Sequence, residues 1–151
     1  MAAMTSATTV LPPINEILAN FDVLEDSHDR LEYLIELGRS AKPLAPEKMT
    51  ESNRVRGCAS QVWLDTTVER SGGRTTLHFH GDSDAIITRG IVALLAAIFS
   101  GKSPEEIQAT DALQIFRDIG IGEHLTAQRS NGARSMVERI RRDAEAALAR
   151  S

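Results

Sequence analysis

The sequence is poor in cysteine, because Cys58 is the only one among its 151 residues. A single thiol cannot form an internal disulfide, and it cannot supply the several thiolates of the usual zinc or iron–sulfur ligand sets. In the reducing cytoplasm, where we expect this chain to reside, a lone thiol stays reduced unless its role is to react. Any thiol chemistry of this protein therefore depends on Cys58.

Positive charge and long apolar runs are also scarce. The chain has 17 Lys and Arg against 21 Asp and Glu, for a formal net charge of −4. A general polyanion binder normally carries a basic excess or a concentrated basic face, so we expect no nucleic acid among the partners. The longest apolar run, residues 91–99, is far shorter than the roughly 20 residues that cross a bilayer, so we expect no membrane span.

The N-terminal residues 1–13 contain no Lys or Arg. They lack the charged start of a secretory signal and the arginines of a mitochondrial transit peptide. We therefore expect a flexible tail over residues 1–13 and one domain over residues 14–151.

What the chain does contain is a composition typical of a globular domain, with 42% hydrophobic and 25% charged residues. Residues 61–69 alternate apolar and polar side chains, and a turn at residues 71–74 (SGGR) leads into a second alternating stretch, which predicts a β-hairpin. Residues 85–100 are apolar nearly all round, which predicts a central buried helix with N-cap oxygens from residues 82–84. Apolar spacing and caps predict further helices after Pro13, at Asp26 or Ser27, at Ser103, at Asp111 and from Met136 to Leu148. Several helices around a small antiparallel sheet predict an α+β domain.

The neighbours of Cys58 favour a reactive thiol only modestly. Cys58 lies between a long connection and the first predicted strand, and such loops commonly carry reactive side chains. Gly57 allows an unusual backbone turn beside it. Arg54 and Arg56 would favour the thiolate if their guanidinium groups approached the sulfur. The alternative is a buried, inert cysteine that acts as a small hydrophobic residue.

Three histidines extend the range of candidate sites. His78 and His80 share one face of the second predicted strand, and with Cys58 they could in principle form a three-ligand zinc site. A cysteine-nucleophile hydrolase would pair Cys58 with His78, His80 or His124 and an acidic residue. A third alternative is a non-catalytic adaptor protein whose cysteine is incidental.

Residues 55–64, which read VRGCASQVWL, resemble the cysteine loop of the SufE family of sulfur acceptors. Three further segments resemble the family in the same order: residues 33–38 (YLIELG), residues 81–85 (GDSDA) leading into 90–93 (GIVA), and residues 124–136 with His124, Leu125, Thr126, Arg129, Ser130, Gly132 and Met136. Ala59 departs from the family, in which many members carry glutamine. The resemblance covers the chain from about residue 14 to its end.

The resemblance implies a SufE/IscU-like α+β fold and a persulfide relay. Cys58 would accept sulfur from a SufS-type cysteine desulfurase, stimulate that enzyme and pass the sulfur to an iron–sulfur scaffold of the SufBCD type. The pyridoxal phosphate belongs to the desulfurase, so the resemblance implies no cofactor and no metal for this chain, which is an accessory protein rather than an enzyme. It also implies that Cys58 is sheltered in the free protein and exposed on docking.

Seven residues are candidates for a supporting or partner-binding role beside Cys58. Gly57 and Ser60 would shape the loop, and Arg129 would stabilise anionic sulfur or contact the desulfurase. Each of three candidates also has an explanation that needs no functional role. Asp84 could cap a helix N-terminus, Trp63 could simply pack against its neighbours, and Arg129 could be a solvated surface residue. The full set of candidates is Arg56, Gly57, Ser60, Gln61, Trp63, Asp84 and Arg129.

Overall fold

Two antiparallel strands and six α-helices make up the fold of residues 11–149, the part of the chain that the computed structural model describes. The elements in chain order are α1 (Ile14–Val23), α2 (Ser27–Ser40), a 3-10 turn (Pro46–Lys48), β1 (Val62–Ser71), β2 (Arg74–Ser83), α3 (Ile86–Phe99), α4 (Pro104–Ala109), α5 (Ala112–Asp118), a second 3-10 turn (Gly122–His124) and α6 (Ala127–Ala149). The predicted α+β class, with a small antiparallel sheet and several helices, is confirmed.

The sheet is the predicted hairpin, with both strands longer than the alternating pattern indicated. The register runs from Ser71 opposite Arg74 to Val62 opposite Ser83. Gly72 and Gly73 have φ of 60° and 77°, the positive values that tight two-residue hairpin turns require. The inward face carries Val62, Leu64, Leu77 and Phe79, all of them buried.

Helix α3 is the central helix of the domain, as predicted. It packs against β2 on one side and against α2 on another. Gly90 makes the second contact possible, because a Cβ atom there would collide with the carbonyl group of Leu34. Its buried residues are Gly90, Ile91, Val92, Ala93, Leu94, Leu95, Ile98 and Phe99.

Three predicted helix caps are confirmed. Asp26 accepts a hydrogen bond from the backbone N–H of His28, Ser103 and Glu106 form a capping box, and Asp111 accepts from the backbone of Gln114. Each of these motifs joins residues two or three positions apart, so it needs no knowledge of the rest of the fold.

The predicted cap of α3 is wrong. The N-cap residue is Ala85, and no side chain caps the helix. The carboxylate of Asp84 instead accepts a hydrogen bond at 3.0 Å from the backbone N–H of Gln61. The register explains the difference, because pairing of Val62 with Ser83 places Gln61 opposite Asp84 one step beyond the ladder.

The start of the described chain already contacts the core, since Leu11 packs against it. The rest of the predicted tail, residues 1–10, lies outside the described residues. No helix within residues 11–149 is long and apolar enough to cross a membrane.

Candidate functional site

Cys58 lies in a short loop, residues 54–61, that is fastened to the start of β1 and is called the cysteine loop below. The backbone N–H of Val55 donates to the carbonyl of Val62 at 2.9 Å, and the Val55 side chain is buried. Gly57 has φ of 92°, and a Cβ atom there would collide with the hydroxyl group of Ser135 on α6. The loop therefore needs glycine at 57 both for its backbone conformation and for its close approach to α6.

The thiol of Cys58 is half-buried and faces α6. Its Sγ donates a long hydrogen bond to the carbonyl of Gly132, with 3.7 Å between the two atoms. A Cβ atom at Gly132 would lie 3.3 Å from Sγ, tighter than an ordinary contact. The absence of a side chain at Gly132 thus makes room for the sulfur. Sequence reasoning gave Gly132 no role of its own.

A cleft of about 470 Å³ opens beside the thiol. Its walls come from the cysteine loop with Cys58 and Ser60, from α3 with Thr88, and from α6 with Arg129 and Met136. Arg129, Gly132 and Met136 recur at three- and four-residue spacing, which places them on one face of α6. That spacing is the sequence signal that could have assigned Gly132 and Met136 to the site.

Burial is the main influence on the acidity of the thiol. Desolvation raises the pKa of Cys58, and the positive charge of Arg54 opposes that rise without cancelling it. At neutral pH the resting side chain is therefore a neutral thiol. The condition for an effect of Arg56, approach of its guanidinium to the sulfur, finds no support, because that exposed guanidinium pairs with Glu51 at 3.1 Å.

Four other candidate residues have partners that the structure identifies. The hydroxyl oxygens of Ser60 and Ser83 lie 3.5 Å apart, and the backbone N–H of Gln61 is held by Asp84. Trp63 lies on the face of β1 opposite the core, where its ring centroid is 5.9 Å from the guanidinium carbon of Arg54.

Arg129 lines the cleft with Cys58, as the sequence-based hypothesis requires. Its Nη1 donates to the carbonyl of His124 at 3.0 Å, which fixes one edge of the guanidinium. The cleft therefore combines one thiol with one cationic side chain from α6.

The histidines do not form a catalytic pair with Cys58. His78 pairs with Glu69, and the Nε2 of His80 lies 2.6 Å from the carbonyl of Lys42. His124 bonds to the hydroxyl and carbonyl oxygens of Ser27. Within residues 11–149, no three His, Cys, Asp or Glu side chains are grouped so that they could hold a metal ion. The described residues thus lack the arrangement that a Cys–His hydrolase or a three-ligand zinc site would need.

An α+β domain that presents a single half-buried thiol beside a cleft defines a thiol-presenting domain. The chain belongs to the SufE family. Residues 15–144 match the family model described as "SufE: Fe-S metabolism associated domain". The family places the chain in association with iron–sulfur metabolism.

Individual relatives agree with this assignment. An uncharacterised SufE-like protein of Rhizobium etli is 50% identical over 132 residues, which cover 87% of this chain and 89% of that protein. An uncharacterised SufE-like protein of Rhizobium meliloti is 47% identical over 135 residues, covering 89% and 96%. The solution structure of a hypothetical protein from Thermus thermophilus is similar with a TM-score of 0.68 and 26% identity, covering 93% of this chain and 99% of that one.

Proposed function

We propose that this protein accepts sulfur on Cys58 from a SufS-type cysteine desulfurase and delivers it to an iron–sulfur assembly scaffold of the SufBCD type. The observation that carries the proposal is the position of the chain's one thiol, half-buried beside a cleft in a SufE-family domain. The protein acts as an accessory of the desulfurase and stimulates its turnover. Pyridoxal phosphate is the desulfurase's cofactor, and this chain needs none of its own.

The transfer is a thiol exchange in which atoms and electrons balance. The Cys58 thiolate attacks the outer sulfur of the persulfide on the desulfurase cysteine. A new sulfur–sulfur bond forms at Cys58, the bond between the two donor sulfurs breaks, and the donor cysteine leaves as a thiolate. The proton that Cys58 loses is available to that leaving thiolate. No external oxidant or reductant is required.

The resting geometry suits a carrier that reacts only with its partner. Burial of Cys58 keeps the thiol protonated at neutral pH and restricts its contact with solvent thiols. Docking has to move the cysteine loop away from Gly132, and such loop movements are common when regulatory partners bind. Exposure on docking would also remove the desolvation that holds the thiol neutral, so that exposure and activation occur together.

A single cysteine is an advantage for this chemistry. A second nearby thiol would attack the inner sulfur of the Cys58 persulfide, form a disulfide with Cys58 and release the outer sulfur as hydrosulfide. Cys58 is alone in the sequence, so no such reaction is available within the chain.

Arg129 is the cleft residue suited to stabilise anionic sulfur on Cys58 or to contact the desulfurase. A cytoplasmic location remains a prediction from the sequence.

The test is an intact-mass measurement. The protein is incubated with a matching desulfurase, pyridoxal phosphate and cysteine, and its mass is taken without reductant. We expect a gain of one or more sulfur atoms in the wild type and none in Cys58→Ser, together with faster desulfurase turnover in the presence of the wild type alone.

Two outcomes would contradict the proposal. A wild type that gains no sulfur and leaves desulfurase turnover unchanged is not a sulfur acceptor. A Cys58→Ser variant that stimulates the desulfurase as well as the wild type would indicate the adaptor alternative, in which the cysteine is incidental.

A further inference from the structure

The backbone of Gly132 and the thiol of Cys58 meet in a contact that depends on the proton of the thiol. The Sγ atom of Cys58 donates to the Gly132 carbonyl across 3.7 Å, and a Cβ atom at position 132 would lie 3.3 Å from the same sulfur. A hydrogen bond of this kind needs a hydrogen on Sγ. The carbonyl and the bare Cα of Gly132, called the thiol seat below, therefore fit a protonated cysteine side chain.

The thiol seat holds the side chain only lightly. Gly132 lies inside α6, so its carbonyl also accepts the helical hydrogen bond from the backbone N–H of Met136, four positions on. An S–H group is moreover a weak donor. When the thiol leaves the seat, the carbonyl therefore keeps its helical partner, and no buried polar group of the backbone loses its only hydrogen bond.

A persulfide on Cys58 lacks the group that the thiol seat binds. Its inner sulfur, Sγ, is bonded to carbon and to the outer sulfur, so it carries no hydrogen and cannot donate to Gly132. A sulfur–sulfur bond is about 2.05 Å long, so an outer sulfur directed along the 3.7 Å line would come within about 1.7 Å of the carbonyl oxygen. A persulfide is also a stronger acid than its parent thiol, and the carbonyl oxygen repels the resulting negative charge.

The cleft beside the thiol seat has the room and the charge that the loaded side chain needs. Its volume of about 470 Å³ is many times that of one sulfur atom, and Arg129 brings a positive charge to its wall. Ser60 and Thr88, which carry hydroxyl groups, line the same cleft. An anionic outer sulfur is therefore better placed toward Arg129 than toward the carbonyl of Gly132.

We propose that Gly132 is a positioning residue that holds the side chain of Cys58 only while this cysteine carries no extra sulfur. The empty carrier rests with its thiol on the thiol seat, and the loaded carrier turns its outer sulfur into the cleft on the side of Arg129. The inference rests on the proposed function, because that function supplies the persulfide. It adds that the loaded side chain is not fixed to α6, so an acceptor protein meets a sulfur that is already released.

The experiment compares two rates at neutral pH in the full chain, one for the empty protein and one for the loaded protein. Alkylation by iodoacetamide reports how firmly the seat holds the empty thiol, because only a released and ionised sulfur reacts. Loading uses inorganic polysulfide. The Cys58 thiolate attacks its terminal sulfur, a polysulfide shorter by one sulfur leaves, and intact mass confirms the gain of one sulfur atom.

The second rate is the removal of that sulfur by glutathione. The glutathione thiolate attacks the outer sulfur, the bond between the outer sulfur and Sγ breaks, and Cys58 leaves as a thiolate. Return of the protein to its unloaded mass gives the rate.

Gly132→Ala should affect the empty protein alone. The added methyl group lies 3.3 Å from the seated sulfur, and its three nearest atoms all belong to Cys58, so the variant should fold and displace only this side chain. We expect roughly fivefold faster alkylation, the factor that corresponds to about 1 kcal/mol of overpacking. The rate of sulfur removal should equal that of the wild type, because the loaded side chain is not on the seat.

Asn131→Ala is the matched control. It also raises the helix propensity of α6, but Asn131 is exposed and does not line the cleft. Both of its rates should equal those of the wild type, so a general stiffening of α6 cannot account for the result with Gly132→Ala.

Two results would overturn the inference. Unchanged alkylation in Gly132→Ala would mean that the seat does not hold the empty thiol. A changed rate of sulfur removal in the same variant would mean that the loaded side chain still rests on Gly132, which would then have only a general structural role.

The proposed function is tested apart from this inference. Polysulfide loads Cys58 without a desulfurase, so the two rates decide the role of Gly132 even if a desulfurase delivers no sulfur to the wild type. A protein that accepts sulfur from the desulfurase but fails the comparison of rates keeps the proposed function, and only the role of the thiol seat is lost.

Discussion

The two ends of the β-hairpin use similar glycines in different surroundings. At the turn end, Gly72 and Gly73 have positive φ, and a Cβ atom on either would meet nothing within 4 Å. At the open end, where the cysteine loop enters β1, Gly57 also has positive φ, but a Cβ atom there would collide with Ser135. Both ends therefore need glycine for a positive φ. At the turn this is the whole reason for glycine, whereas at the cysteine loop close packing against α6 is a second reason.

The largest expected difference between the two ends comes from matched glycine substitutions. Gly73→Ala should lower the free energy of unfolding by about 1 kcal/mol, the cost of a left-handed backbone for an L-residue. Gly57→Ala should lower it by about 2–3 kcal/mol, because steric collision adds to the backbone cost. Urea denaturation measures both.

Adding Ser135→Ala to Gly57→Ala should recover the steric part of the loss, since it removes the hydroxyl group that the new Cβ would meet. Equal costs at positions 57 and 73 would mean that the packing against α6 contributes nothing, and the comparison would then fail.

A smaller effect is expected from the hydrogen bond that closes the open end. Asp84→Ala removes the acceptor for the Gln61 N–H and should lower the free energy of unfolding by about 1 kcal/mol. It should also free the cysteine loop, so that iodoacetamide alkylates Cys58 faster at high pH, where the thiol is fully ionised and the plateau of the rate reports access to the sulfur. Arg74→Ala, which removes an exposed ion pair with Glu106 at the turn end, is the control and should leave both quantities unchanged. An unchanged plateau in Asp84→Ala would show that this hydrogen bond does not restrain the thiol.

The smallest expected effect is a pH dependence of the free energy of unfolding. It comes from the Cys58 thiol at the open end, and the turn end has no counterpart of this thiol. Burial raises the pKa of Cys58 in the folded state, so the folded protein holds the thiol proton more tightly than the unfolded chain does. The resulting stabilisation is fully present below the ordinary thiol pKa of about 8.5 and is lost as the pH rises through the folded-state pKa. The wild type should therefore lose stability relative to Cys58→Ser as the pH rises above the ordinary thiol pKa, as followed by urea unfolding at each pH. Parallel curves for the two proteins would contradict the assignment of burial as the cause.

Much of the fold could be predicted because its determinants are local. The alternating residues of β1, the glycine turn and the apolar run of α3 each lie within one short stretch, and so do the caps at Asp26, Ser103 and Asp111. Asp84 was assigned wrongly because its partner is Gln61, 23 positions earlier in the chain. A carboxylate just before a helix is normally a cap, and only the hairpin register gave it a different donor.

Two of the predicted site residues lie together in the folded chain, whereas the contacts of several others could not be predicted. Motif resemblance identified Cys58 and Arg129, and the folded chain brings both to one cleft. The partners of Arg54 and Arg56 could not be read from sequence, because two similar side chains two positions apart point to different neighbours. The contact of Gly132 with the thiol was also missed, because it joins residues 74 positions apart in the chain.

The sequence by itself determined that the protein has one thiol, that this thiol lies in a glycine loop before a hairpin, and that the chain resembles the SufE family. These properties depend on residue identity and on short-range spacing, which the chain carries in any conformation. Only the tertiary structure decided that Cys58 is half-buried against α6, and that Arg56 pairs with Glu51 while Arg54 lies over Trp63. Burial and charge act through space, so they depend on which distant segments meet, and packing of α6 against the cysteine loop determines that.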